Sequence, residues 1–69
     1  MTIKEIGLAI RERRQVFEII QTDLAEMAQV SINTLYKIER GEANPSVKVL
    51  NKLAEVLGME LSLSIKKLR

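Results

Sequence analysis

The chain predicts an all-α bundle of four main helices followed by one C-terminal strand. Three observations predict it. Apolar residues recur at helical spacing, as at Ile3, Ile6, Ile10 and Phe17 and again at Val47, Leu50, Leu53, Ala54 and Leu57. Start and stop residues punctuate these stretches, with Thr2, Ser31 and Ser46 at starts and Gly41 and Gly58 at ends. The tail Glu60-Leu61-Ser62-Leu63-Ser64-Ile65-Lys66 then alternates polar and apolar without a break, which is the period of a strand.

The first helix is expected over about Thr2 to Phe17. Thr2 suits the N-cap, and Glu5 three residues later completes a capping box. Arg13 and Arg14 fill the gap in its apolar face. Glu18 to Ile20 reads as a short joint. The second helix spans about Gln21 to Ala28, with Leu24 and Ala28 inward and the small Ala25 where two helices cross closely. Ser31 can cap the third helix, because its hydroxyl accepts a bond from a free backbone N–H. That helix runs to Arg40, and Gly41 holds the position where a left-handed residue is common. Asn44 before Pro45 is biased to extended geometry. Ser46 caps the fourth helix, which Gly58 ends.

The tail has no partner strand elsewhere in the chain. A lone strand leaves a row of unpaired N–H and C=O groups and an apolar face. The same strand from a second copy would satisfy it, antiparallel under two-fold symmetry. Leu61, Leu63 and Ile65 are therefore the expected dimerisation residues, residues 59–66 the intermolecular strand, and 1–69 a single domain.

Composition narrows the function. A chain of 69 residues buries only roughly 60% of its unfolded surface, so association with another copy is a usual remedy. There is no Cys and no His, which excludes disulfides, a conventional zinc or haem site, and the usual nucleophile and general base. No metal, no cofactor and no enzymatic activity are expected. Lys4 and Glu5 stand where a signal peptide needs an apolar run, and no apolar stretch reaches the ~18 residues of a membrane span. Cytoplasmic residence is expected. The net charge of +2 is too small to argue for nucleic acid by itself.

The argument for nucleic acid comes from Gln21 to Pro45. Gln21 opens a helix, Leu24-Ala25 follow at a fixed step, Val30-Ser31 close a turn, Ile38-Glu39-Arg40-Gly41 end a second helix, and Asn44-Pro45-Ser46 start the next. This pattern resembles the helix-turn-helix of the Cro/C1-type repressor family, a lambda-repressor-like fold. The flanking helices extend the resemblance over most of the chain. Two positions depart from the family's pattern: Gln29 where Gly is favoured in the turn, and Ile20 where a capping Thr or Asn is usual. The resemblance implies sequence-specific binding of double-stranded DNA by a homodimer, on an operator built as an inverted repeat, with the third helix in the major groove.

Leu35 and Ile38 point inward with Val30, leaving Ile32, Asn33, Tyr36, Lys37 and Arg40 on the face such a fold presents to DNA. The alternative is a plain solvated helix face. Asn pairs bidentately with adenine, and Lys reaches the O6 and N7 of guanine. Ile32 could touch a thymine methyl and Tyr36 a phosphate or base edge, unless either packs sideways on a neighbour. Gln21, at a helix N-terminus, matches a glutamine that touches the DNA backbone in the family. Thr22, Ser31, Arg40 and Asn44 join the candidate DNA-binding set. Arg14 and Glu39 match a structural ion pair of related repressors. Within the family, the chain most resembles the HipB-type antitoxins. These are small, lack a separate effector domain and follow helix 4 with a strand that pairs across the dimer, as Leu61 to Lys66 would. This implies a dual role, repressing the operon and binding a further partner, a HipA-like kinase toxin. A free-standing Cro-like regulator, or an interaction module without DNA binding, are the alternatives.

Overall fold

The computed structural model describes residues 1–66. Four helices follow in order: α1 Ile3–Val16, α2 Gln21–Ala28, α3 Ile32–Glu39 and α4 Val47–Leu57. α1 packs on α3 and α4, and α2 packs on α3 and α4. Leu24, Leu35, Ile38, Leu53 and Leu57 meet at the centre with no exposed surface, and Ile10, Ala25, Ala28 and Leu50 complete the core. No helix among the described residues is long and apolar enough to cross a membrane.

The starts follow the expected chemistry. The Thr2 hydroxyl accepts from the Glu5 N–H at 3.1 Å, and the Thr2 N–H donates to Glu5 Oε1 at 2.9 Å, so the capping box is complete. The Thr2 backbone N–H, and then its side chain, hold the Glu5 carboxyl below its ordinary range. Ser31 and Ser46 each accept from the N–H three residues on, at 3.1 Å. α2 differs: Ile20 occupies its N-cap and supplies no side-chain bond.

All four helices end the same way. A left-handed residue reverses the chain, and the next N–H bonds back to a carbonyl of the last turn, as in the Schellman motif. The left-handed residues are Glu18, Gln29, Gly41 and Gly58. The returning bonds are Ile19 N–H to Arg14 O, Val30 to Ala25, Glu42 to Lys37 and Met59 to Ala54, all between 2.9 and 3.2 Å. The two glycines adopt this geometry freely. Glu18 and Gln29 adopt it at a cost, since a β-carbon crowds the following carbonyl there.

Three expectations change. Ile3 and Phe17, placed on the core face of α1, are 38% and 47% exposed. The inward face of α1 is carried by Ile10, as expected, and by Gly7. Phe17 falls after the last turn of α1, at its C-cap, under the guanidinium of Arg13 at 4.7 Å from the ring centroid. Val47 opens α4 beyond the reach of the core and stands 67% exposed. The third change is the tail. Residues 59–66 form no strand among the described residues, and Leu63 and Ile65 are fully exposed. A strand is a ladder of bonds to a second strand, and the described residues hold no second strand.

Gly7 explains how α1 and α3 come so close. A β-carbon at this position would collide with the backbone carbonyl oxygen of Ile38. The helix therefore accepts a glycine in its interior, at a propensity cost near 1 kcal/mol, to let the two backbones meet.

Candidate nucleic-acid interface

α2 and α3 are joined by a tight turn. Gln29 reverses the chain, Val30 packs against the core, and Ser31 begins α3. Leu35, Ile38 and Glu39 are buried, so the rotation of α3 about its own axis is fixed. The opposite face then carries Asn33, Tyr36, Lys37 and Arg40, all exposed. The only carboxylate within α3 is Glu39, and it is turned inward, so the outer face of the helix is polar and cationic.

The candidate residues are not all equally free. Ile32 is half-buried and packs against the core, so only part of its side chain reaches solvent. The Ser31 hydroxyl accepts from the Thr34 N–H and donates to Thr34 Oγ1 at 2.7 Å, which commits it to the cap. Arg40 Nε lies 3.0 Å from Glu42 Oε2, an exposed pair of the kind worth little. Thr22 is exposed on the first turn of α2, and Asn44 is exposed in the loop before α4.

Beneath this face lies an ion pair. Arg14 Nε donates to Glu39 Oε2 at 2.8 Å, and Nη2 donates to Glu39 Oε1 at 2.9 Å. The two side chains are 12% and 3% exposed. The third guanidinium nitrogen, Nη1, donates to the Ile19 carbonyl at 2.9 Å. The hydrogen bonds to Glu39 raise the Arg14 pKa above its ordinary value. Gln21 joins the pair, its Nε2 donating to Glu39 Oε1 at 3.0 Å. One buried carboxylate at the end of α3 thus ties α1, α2 and α3 together.

Two residues hold roles that the sequence alone does not assign. Arg13 Nε donates to the Leu57 carbonyl at 2.8 Å, which caps the C-terminus of α4 with a cation. Gly7 is the other. A glycine inside a helical pattern is the available sign of close backbone approach. For Arg13 no local sign exists, because its acceptor lies on a different helix.

A family model described as helix-turn-helix matches residues 10–63. An HTH-type transcriptional regulatory protein of Methanococcus maripaludis is 44% identical over 55 residues, covering 80% of this chain. The chain spans only 17% of that relative's length. The HTH-type transcriptional regulator DdrOP3 of Deinococcus deserti is 40% identical over 50 residues, covering 72% of this chain and 39% of the relative. Among solved structures, the restriction-modification controller protein C.AhdI from Aeromonas hydrophila superimposes with a TM-score of 0.80 at 29% identity, over 84% of this chain and 88% of that one. The clp gene regulator ClgR from Corynebacterium glutamicum gives 0.80 at 29% identity, over 86% of this chain and 63% of that one. These matches agree with one another: the chain belongs to the Cro/C1-type helix-turn-helix family of transcriptional regulators.

Proposed function

We propose that the chain is a sequence-specific repressor that binds an inverted-repeat operator in double-stranded DNA as a homodimer, in the cytoplasm. The observation that carries this is the two-sided character of α3. One side is locked into the core by Leu35, Ile38 and Glu39, and the other offers Asn33, Tyr36, Lys37 and Arg40 to solvent with no acid among them. A helix held this way suits the negatively charged major groove. Asn33 and Lys37 would read base edges, with Ile32 and Tyr36 contributing apolar contact and a hydroxyl. Gln21, Thr22, Arg40 and Asn44 would anchor phosphates, and Ser31 would act mainly by fixing the start of α3.

Dimerisation is proposed through the tail. Leu61 is 46% exposed, and Leu63 and Ile65 are fully so. Val47, Leu50, Leu61 and Leu63 line one apolar recess. Pairing Leu61 to Lys66 with a second copy would satisfy the ladder and cover this surface. The antitoxin role, with a HipA-like kinase bound as partner, has only the tail's resemblance in its favour. Co-purification with a neighbouring kinase would test it.

The DNA reading is tested by selecting duplexes from a randomised library and measuring affinity across a salt series. The expected result is a preferred inverted repeat, with half-sites about 34 Å apart or a multiple of that, and affinity that falls steeply with salt. Equal, weak affinity for every duplex would favour an interaction module that has lost DNA binding.

A further inference from the structure

We infer that Arg13 sets the direction in which the tail leaves α4, which makes it a positioning residue for the pairing of two copies. This rests on the tail pairing proposed above.

The tail joins α4 through Gly58, a left-handed glycine at φ 65°. Glycine takes either sign of φ, so by itself this joint would let the tail leave in several directions. Two-fold pairing needs both copies to present the tail at one angle. The last turn of α4 carries no basic residue to hold the carbonyls left open there. The cation comes from α1. Arg13 Nε donates at 2.8 Å to the carbonyl of Leu57, the residue immediately before Gly58. Its guanidinium stacks on Phe17, 4.7 Å from the ring centroid. A β-carbon at Gly58 would stand 3.5 Å from its Nη2. One planar group thus lies between the end of α1 and the joint of the tail.

After the joint, the Met59 N–H donates to the Ala54 carbonyl at 2.9 Å, and the Met59 side chain packs against the core. Met59 and Leu61 line a recess between α1 and α4 with Ile6, Ala9, Leu50 and Ala54. The tail is therefore laid along α1 and α4 as far as Leu61. Beyond it, Leu63 and Ile65 are fully exposed. Arg13 fixes the residue before Gly58 and Met59 the residue after it, so the segment that would pair starts from a defined point. Phe17 gains a use on this account, as the floor under the guanidinium.

The test separates positioning from stability. Dimer dissociation is measured by sedimentation of the full chain, and exchange of single amides by NMR, for the parent and for Arg13→Met. The substitution keeps the apolar stem and removes the donor. Fixing one backbone residue is worth a factor of about ten, and a dimer has two joints. Arg13→Met should therefore raise the dissociation constant about a hundredfold. The Met59 amide should exchange faster, while amides inside α4 keep the parent's rates. Arg13→Lys keeps the charge without the planar donor and should fall between the two. A residue that only braces the fold would quicken exchange evenly along α1 and α4. That pattern overturns the inference, and so does a dimer whose dissociation constant does not move. A parent that stays monomeric at every concentration overturns the tail pairing, and this inference with it. Should Arg13→Met fail to fold, Phe17→Leu decides. It removes only the stacking face and should raise the dissociation constant about tenfold over the two copies. An unchanged constant overturns the inference.

Discussion

The Glu39 side chain is buried at the end of α3, so its place in the fold depends on the guanidinium beside it. Arg14→Met would leave that carboxylate buried without its cation, at roughly 3–5 kcal/mol. A domain of this length has about 3–10 kcal/mol in all. The variant should therefore melt far below the parent, or fail to melt cooperatively, in a thermal scan followed by circular dichroism. An unchanged melting point would mean the pair contributes nothing. Gln29 makes the opposite prediction. It holds φ 57° with a full side chain, so Gln29→Gly should remove strain of about 1 kcal/mol, part of it offset by the glycine's greater freedom when unfolded. Urea denaturation should give a midpoint equal to the parent's or higher. A clear loss of stability would show that the Gln29 side chain is itself needed. Gln29 was legible as a departure because the motif expects glycine there. Glu18 adopts the same conformation at φ 56° and was not legible. Nothing in a glutamate marks it as left-handed; the neighbouring turn imposes it.

Each helix was legible mainly through its ends. Thr2, Ser31, Ser46, Gly41 and Gly58 carry local chemistry that acts over three or four residues, and the observed bounds follow it. Faces were less legible. Period alone tells which residues share a side but not how far along the helix a neighbour extends. Ile3, Phe17 and Val47 lie on the right side of their helices and past the end of what covers them. The α1–α3 crossing is where element packing is tightest. Gly7→Ala would improve helix propensity by about 1 kcal/mol yet drive a methyl into the Ile38 carbonyl. Because that obstacle is backbone, α1 and α3 must separate, and overpacking of this kind typically costs about 1–3 kcal/mol. The net effect should be a lower denaturation midpoint, and amide exchange should quicken in α1 and α3 more than in α2. A variant more stable than the parent would mean the crossing is looser than the geometry indicates.

The whole molecule raises the question of what covers the tail. Its alternation was plain in the sequence, yet residues 59–66 form no strand, and Leu63 and Ile65 stand fully exposed; the proposed ladder would need a second chain. Removal of Leu61 and everything after it should leave the four helices folded and convert a dimer to monomer in analytical ultracentrifugation. Operator affinity should fall sharply with it, because a single half-site loses the gain of a linked second one. A truncated protein that remains a tight dimer would place the interface elsewhere. The solvent-facing side of α3 was legible from the motif, since Leu35 and Ile38 set its rotation. Which of its residues would read bases in the proposed complex depends on a surface outside the chain. The deciding measurement is therefore a binding series on randomised duplexes at fixed salt, with the parent, Asn33→Ala, Lys37→Ala and Gln21→Ala. Asn33→Ala and Lys37→Ala should each cost roughly 1–3 kcal/mol on the preferred site and relax the preference at one position per half-site. Gln21→Ala should weaken all sequences more evenly. If Asn33→Ala and Lys37→Ala leave the preferred sequence unchanged, α3 does not read the groove.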